Sequence, residues 1–345
     1  MKGIRVGFIP WWTENPYQLQ LREELRKSGH RVIGNPPLSI VKLLLGRDGL
    51  DVIHIHWFHA MYSSNYLKMP YAMLILLLYR LIKNNIVWTV HELDFYESRH
   101  PKADAFFVRF LMKLSRVLLV HSEYSRLEIL RRFPYKGEIL TMRHAAYSDI
   151  YPQEHTQSSA RQQLNIKDEQ RVFLYFGYIK PYKGVEELID CFTKSSSHKD
   201  VLLIAGNPLD ASTKEDIHQR AIKHPRIHLT LGYIPDAMVE VYLKSADIVV
   251  FPFKHTHTSG SLLLALAFGK PVIAPKIASI PEYVDTSNAI FFDPDNANGL
   301  SNAIAEATQR DLNTMAHHAA LCSAELSWSK MARVHSNAYE MITST

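Results

Sequence analysis

The chain has 345 residues, 47% of them hydrophobic and 21% charged, which is typical of a globular enzyme with one large or two medium domains. Its net charge of +5 favours anionic partners such as phosphates, but there is no Lys/Arg block and no nucleic-acid-binding signature, so we expect no nucleic-acid partner. The two cysteines, Cys191 and Cys322, exclude a disulfide framework, and no signal-peptide pattern is visible, so we expect a cytoplasmic protein.

Six strand-like apolar runs alternate with helical patterns in the first part of the chain. The runs are "IRVGFIP", "HRVIG", "DVIHIHW", "NIVWTVHE", "RVLLVHS" and "EILTMRH", and helices are predicted at 18–27, 72–82, 103–113 and 123–132. Strands that are apolar throughout and separated by helices are typical of a parallel, doubly wound sheet. We therefore predict an α/β, Rossmann-like domain over residues 1–150.

The most apolar segment, 69–79, is flanked by Lys68, Arg80 and Lys83. It is too short to span a membrane, which takes roughly 20 apolar residues. The pattern predicts a core helix with charged ends, and the alternative is a helix that lies on an anionic membrane surface.

A polar segment, 148–170, interrupts the alternation and is interpreted as a linker. A second series of strands follows, with "RVFLYFGYIK", "DVLLIAGNP", "IHLTLGYIP", "DIVVFPF", "PVIAP", "IPEYV" and "AIFFDP" separated mostly by helical patterns. This series predicts a second Rossmann-like domain over residues 165–320 and a cleft between the two domains. Neither domain carries G-x-G-x-x-G after its first strand and no P-loop is present, which argues against a dinucleotide cofactor.

Several motifs, taken in their order and spacing, resemble one enzyme family. "FGYIKPYKGVEELIDCF", "FGKPVIAP", "IPEYV" and "AIFFDPDN" resemble the GT-B glycosyltransferases, in particular the retaining family 4 and its neighbours. "NPYQ", "HIHW", "VWTVHE" and "TSGSLLLALAFGKPVIAP" are similar to a bacterial subgroup that builds exopolysaccharides or lipid-linked glycans. The tail, 321–345, resembles the family's closing helix, which crosses back to the first domain.

The resemblance implies a hexosyltransferase that uses neither a metal nor a cofactor. Its first domain would bind the acceptor, a glycan or polyprenyl-linked saccharide, and its second domain the donor, a UDP- or GDP-sugar. The acceptor would be met at the inner face of the membrane by a cytoplasmic or peripheral protein. Two alternatives stay open: a sugar-nucleotide epimerase of the same fold, and a glycosyltransferase-like binding subunit that has lost catalysis.

A polar turn, 258–261, stands between the strand "DIVVFPF" and an apolar helix. The N-terminus of a helix offers unpaired N–H groups and the positive end of a dipole, which together bind phosphate. Thr258, Ser259, Gly260 and Ser261 are therefore predicted to hold the donor diphosphate, with Gly260 allowing a close approach. The alternative is an ordinary serine helix cap.

Lys180 and Lys183 follow Gly177 in the turn after the first strand of the second series. Their ammonium groups are predicted to neutralise the leaving diphosphate, and the alternative is a pair of solvated surface lysines. In the resembled family an arginine commonly follows the glycine. That position is Tyr178 here, so Lys180 is expected to replace it, while Lys183 matches the family lysine directly.

The family's pair of glutamates, eight residues apart, corresponds to Thr256 and Leu264, so the usual glutamate contact to the donor ribose is missing. Glu282, in "IPEYV", follows the next strand and is expected either to take that role or to be a plain surface glutamate. The loss leaves the retaining or inverting outcome undecided.

His91, Glu92 and Asp94 follow the strand "NIVWTV" at its carboxyl end. An inverting transferase needs a general base for the acceptor hydroxyl, and these three are the catalytic candidates. In a retaining enzyme His91 would instead contact the donor sugar, and a hydrogen-bonded structural histidine is the third interpretation.

Asn15 and Gln18 close the first turn, and their amides are predicted to contact a sugar or phosphate, unless Asn15 only caps the turn before Pro16. His54 and His56 share one face of a strand, but no third ligand stands at a fixed spacing, so we predict no metal site.

Overall fold

The computed structural model describes residues 3–34, 49–61, 66–91, 93, 100–148, 150–256 and 259–344. The chain divides into two compact units. Unit 1 comprises Met1–Ala145 and Ser327–Thr345, and unit 2 comprises Ala146–Leu326.

Unit 1 is built on a six-stranded parallel sheet with the order β2-β1-β3-β4-β5-β6. The strands are β1 (Arg5–Ile9), β2 (Arg31–Gly34), β3 (Val52–Ile55), β4 (Ile86–Thr89), β5 (Val117–Val120) and β6 (Glu138–Thr141). The helices between them include α1 (Pro16–Lys27), α2 (Met69–Ile82), α3 (Pro101–Leu114) and α4 (Glu123–Arg132). Every residue of β3, β4 and β5 is buried, as expected of parallel strands covered on both faces.

Unit 2 has its own six-stranded parallel sheet, with the order β12-β11-β10-β7-β8-β9. The strands are β7 (Arg171–Phe176), β8 (Asp200–Gly206), β9 (Ile227–Leu231), β10 (Ile248–Val250), β11 (Val272–Pro275) and β12 (Ala289–Phe292). The helices are α5 (Gln157–Gln163), α6 (Val185–Ser195), α7 (Ala211–Ala221), α8 (Asp236–Ser245), α9 (Gly260–Ala267), α10 (Gly299–Ala307) and α11 (Leu312–Glu325). The two parallel sheets confirm the predicted α/β, doubly wound architecture.

The last helix, α12 (Trp328–Thr343), belongs to unit 1, where it lies against α1. Buried polar contacts tie it to the sheet, since Tyr339 Oη lies 2.6 Å from His54 Nδ1 and Ser336 Oγ lies 3.0 Å from His30 Nε2. The segment predicted from residue 321 thus contains the end of α11 and all of α12.

The interpretation of 148–170 as a linker is wrong, because this segment carries α5 and belongs to unit 2. A capping box formed by Thr156 and Ser159 begins the helix. Arg161 is buried, and its Nη2 lies 2.6 Å from Asp247 Oδ2 at the start of β10. The polar residues of the segment therefore serve as a helix cap and as one partner of a largely buried ion pair.

Helix α2 begins at Met69 and buries one face in the core of unit 1 through Ala72, Ile75, Leu76 and Tyr79. Its other face is exposed although it is apolar, with Tyr71, Leu74, Leu77 and Leu81 between 40% and 72% exposed. Across the described residues, we find no helix with the length and apolar character that a membrane crossing requires.

Candidate functional site

Three loops of unit 2 leave the same edge of its sheet. They follow β7, β10 and β11, which are neighbours in the order β11-β10-β7. Because the strands are parallel, their carboxyl ends meet at one edge, which is where open α/β sheets bind ligands. The loops carry the predicted donor residues Lys180 and Lys183, Ser259 and its neighbours, and Glu282.

The turn after β10 ends at the N-terminus of α9, as the apolar pattern predicts. Ser259 is the cap, and its Oγ accepts a hydrogen bond of 3.2 Å from Leu262 N–H. Leu263 N–H is bonded to Ser259 O at 3.3 Å, so the Gly260 and Ser261 N–H groups are the ones left without a partner within the helix. Ser259 is thus an ordinary helix cap, and the two amides stay available to a ligand. Thr258 lies outside the described residues.

Gly260 is exposed, and a Cβ built on it would come no closer than 3.8 Å to Tyr147 Oη. The space in front of the amides at the start of α9 is therefore open to a ligand on the side that Gly260 faces. Gly177, after β7, has a φ of +134° and would place a Cβ 2.9 Å from Ser261 Oγ. The turn after β7 and the start of α9 are therefore in contact, and this contact needs glycine at 177.

The loop with Lys180 and Lys183 is held against the loop after β10. Lys254 N–H donates a hydrogen bond of 2.9 Å to Tyr182 O. Gly184 has a φ of +68°, and a Cβ there would lie 2.1 Å from Pro252 O, so any larger residue would push the two loops apart. The sequence reasoning missed Gly184, although it follows Lys183 directly and opens α6.

Both lysines lie over aromatic rings. Lys183 Nζ is 3.8 Å from the ring centroid of Phe253, and Lys180 Nζ is 5.5 Å from that of Tyr178. The ring face attracts the ammonium group and helps to fix its position. Both side chains are half-buried, and their role at the donor diphosphate stays a prediction.

Glu282 lies in a short 3-10 turn, Ile280–Glu282, which follows β11, so the prediction of a strand at "IPEYV" is wrong. Pro281 lacks the N–H group that a central strand would need. Glu282 is half-buried at the same sheet edge as α9, so both interpretations of this glutamate remain proposals. Leu264 is buried in the core of unit 2, and a glutamate in its place would put a charge there. The missing family glutamate at this position therefore agrees with the local packing.

In unit 1, four neighbouring strands are each followed by a histidine. His56 follows β3, His91 follows β4, His121 follows β5 and His144 follows β6. The Tyr17 ring of α1 sits among them, with ring centroids 5.0 to 5.7 Å away from all four. We call these four residues the histidine row. It places His91 at the carboxyl edge of the sheet, as predicted.

Burial makes the histidine row electrically neutral. It lowers the pKa of His56, His91 and His121 well below the ordinary value and the pKa of His144 to about 4. His91 is half-buried and stacks on Trp57, with centroids 4.2 Å apart and planes 9° apart. An imidazole whose pKa is lowered this far is a weak base, so it is suited to hydrogen bonding with a substrate and poorly suited to accepting a proton from it. Glu92 and Asp94 lie outside the described residues.

Comparisons with known proteins agree on one activity. Residues 156–320 match the family model "Glycosyl transferases group 1". A GDP-mannose:glycolipid 4-β-D-mannosyltransferase of Xanthomonas campestris pv. campestris is 29% identical over 266 residues, 76% of this chain and 70% of that protein. The O-antigen chain mannosyltransferase B of Escherichia coli is 24% identical over 272 residues, 74% of this chain and 70% of that protein. Sucrose-phosphate synthase from Thermosynechococcus elongatus has a similar structure, with a TM-score of 0.78, 17% identity and coverage of 99% of this chain and 100% of that one.

The chain is a glycosyltransferase with the GT-B fold. The predicted family and fold are thereby confirmed, and neither the family model nor these three relatives supports the epimerase alternative. The match to the family model lies within unit 2, the unit that carries the open helix N-terminus and the two lysines.

The first loop of the glycosyltransferase uses Asn15 and Gln18 for its own architecture. Asn15 Oδ1 caps α1 by accepting a hydrogen bond of 3.1 Å from Gln18 N–H. Gln18 is fully buried, its Oε1 accepting from Trp12 N–H and its Nε2 donating to Pro10 O, both at 2.8 Å. The side chain of Gln18 therefore holds the loop and does not reach a ligand, while Asn15 takes the cap role of the alternative interpretation.

His54 of the glycosyltransferase has both ring nitrogens engaged, with Tyr339 Oη at 2.6 Å from Nδ1 and Thr89 Oγ1 at 2.8 Å from Nε2. It is a buried structural residue under the histidine row. Within the described ranges, no group of three His, Cys, Asp or Glu side chains is arranged to hold a metal ion.

Proposed function

We propose that the enzyme transfers a hexose from a nucleotide sugar to a saccharide carried on a lipid, and that GDP-mannose is the donor. The two curated relatives named above support this choice, because one uses GDP-mannose on a glycolipid and the other is also a mannosyltransferase. The observation that carries the donor site is the pair of available amides at Gly260 and Ser261, next to the lysine loop at one sheet edge.

In the proposed reaction the bond between the anomeric carbon and the donor phosphate oxygen breaks, and a bond from that carbon to an acceptor hydroxyl oxygen forms. The nucleoside diphosphate leaves with the bonding electron pair, and the acceptor gives up its hydroxyl proton. The Gly260 and Ser261 N–H groups hold the diphosphate, and the ammonium groups of Lys183 and Lys180 stabilise the charge it gains. Glu282 is proposed to accept hydrogen bonds from the ribose hydroxyls. Neither step requires a metal ion.

The acceptor is proposed to bind unit 1 at the histidine row. His91 is neutral, so we assign it a hydrogen bond to a substrate hydroxyl. Glu92 and Asp94 stay the candidates for the general base that takes the proton of the acceptor hydroxyl. The retaining or inverting outcome is not part of the proposal.

Ligand-induced stabilisation tests the donor. GDP-mannose at about a hundred times its Kd is expected to stabilise the protein by about 2.7 kcal/mol, visible as a rise in Tm. Gly260→Val is the matched variant. The valine side chain fits without a clash, so the variant should fold, but it would cover the two amides. We therefore expect GDP-mannose to raise the Tm of this variant less or not at all. A panel with UDP-glucose and ADP-glucose identifies the base. If no nucleotide sugar raises the Tm of the unaltered protein, the proposed function is wrong.

The exposed apolar face of α2 is proposed to lie on an anionic bilayer, where a lipid-linked acceptor is found. Tyr71, Leu74, Leu77 and Leu81 recur at helical spacing, and Lys68 and Arg80 add positive charge beside them. We expect the protein to sediment with phosphatidylglycerol vesicles and not with phosphatidylcholine vesicles. The double variant Leu77→Glu, Leu81→Glu should lose this binding, whereas Leu127→Glu, on the exposed side of α4, should keep it. Equal binding by the two variants would contradict the proposal.

A further inference from the structure

The loop after β1 presents an exposed tryptophan on a stack of aromatic rings. Trp12 is 39% exposed and stacks on Trp57, with centroids 4.6 Å apart and planes 27° apart. Trp57 in turn stacks on His91 of the histidine row. Tryptophan is enriched at interfaces, because its indole combines a large apolar ring with a polar N–H group. We call Trp12 and Trp57 the tryptophan platform.

The position of Trp12 is fixed by the loop. Its backbone N–H donates to Gln18 Oε1 at 2.8 Å, and the buried Gln18 also holds Pro10 O. The neighbouring Trp11 turns the other way, packing on Gly34 and under the guanidinium of Arg22, 4.0 Å from its ring centroid. One of two adjacent tryptophans is therefore used for packing, and the other is held outwards by buried hydrogen bonds.

We propose that the tryptophan platform binds a pyranose ring of the acceptor saccharide. One face of a pyranose exposes C–H groups, which pack favourably on the electron-rich face of an indole. Because Trp57 stacks on both Trp12 and His91, it stands between them, and a sugar on the exposed face of Trp12 lies at the outer end of the stack that leads to His91. That the bound sugar is the acceptor rests on the proposed function. The binding site itself is built from residues of unit 1 alone.

Indole NMR tests the platform without any turnover. The chain has five tryptophans, and all five lie in unit 1. Protein labelled with ¹⁵N at the indoles is titrated with methyl α-D-mannopyranoside, methyl β-D-glucopyranoside and cellobiose. We expect the Trp12 and Trp57 signals to shift, and the signal of Trp88, which is 1% exposed, to stay in place. Trp12→Phe and Trp57→Phe assign the signals.

Variants at Trp12 distinguish the contribution of aromatic stacking on the sugar from that of apolar surface area. Trp12→Leu should weaken saccharide binding about 3- to 10-fold, whereas Trp12→Phe, which keeps an aromatic face, should lose less. Both should bind GDP-mannose like the unaltered protein, since the proposed donor residues lie in unit 2. If no saccharide of the panel shifts Trp12 or Trp57, or if Trp12→Leu binds as well as Trp12→Phe, the platform is refuted. GDP-mannose stabilisation would still stand in that case, so the two proposals fail separately.

Discussion

Replacing Lys183 by alanine is expected to lower kcat by about 10²- to 10³-fold. Lys183 Nζ lies over the Phe253 ring, on a loop that Gly184 and Lys254 N–H hold against the loop after β10. Its charge is therefore positioned before the donor binds, so that stabilising the leaving diphosphate requires little reorganisation. The measurement is the steady-state release of GDP from GDP-mannose in the presence of a glycolipid acceptor.

Lys254→Ala is the matched control for this variant. Lys254 lies on the adjoining loop, but its side chain is 56% exposed and its Nζ pairs with Glu187 at 3.7 Å. We expect this variant to keep kcat within about twofold, because exposed ion pairs contribute little. Lys183→Arg should recover part of the lost rate. Equal rates for Lys183→Ala and Lys254→Ala would show that Lys183 has no part in the reaction.

Acid is expected to unfold unit 1 within about two pH units below 6.5, through its buried histidines. Burial lowers the pKa of seven unit 1 histidines in the folded state: to about 4 for His144 and His335, well below the ordinary 6.5 for His54, His56, His91 and His121, and below it for His30. Between the folded and unfolded pKa values the unfolded chain binds more protons than the native unit. The stability is therefore present above pH 6.5 and lost as the pH falls, by about 1.4 kcal/mol per pH unit for each histidine.

Tryptophan fluorescence follows this transition in unit 1 selectively, because all five tryptophans lie there. The urea midpoint measured by fluorescence should fall steeply between pH 7 and pH 5. His228 of unit 2 also has a pKa lowered by partial desolvation, but it lies on the half-exposed strand β9. A midpoint from circular dichroism, which also reports unit 2, should therefore fall less. A fluorescence midpoint that stays constant over this range would contradict the assignment of neutral, buried histidines.

The sheets could be predicted from the sequence because parallel strands are apolar throughout and are separated by helices. The histidine row could also have been predicted from the sequence. "HIHW", "VHE", "VHS" and "MRH" each place a histidine just after a strand, and neighbouring parallel strands end at the same edge of the sheet. The insertion of Tyr17 among them depends on how α1 packs on the sheet. No local pattern carries that information.

The limits of the sequence are clearest where one residue has two plausible roles. Asn15 and Gln18 are polar residues at the start of α1, and only their partners show that they hold the helix cap and the preceding loop. Arg161 and Asp247 are far apart in the chain, so the polar segment around Arg161 looked like a linker until their contact was known. The need for glycine at 184 likewise arises from Pro252 O, a contact across two loops.

The central claim is that the donor diphosphate rests on the N–H groups at the start of α9. A crystal structure of the protein with GDP tests it most directly. We expect phosphate oxygens about 3 Å from the Gly260 and Ser261 nitrogens, with Lys183 Nζ turned towards them. A diphosphate bound at any other loop, with those two amides facing only water, would show that the donor does not bind at the start of α9.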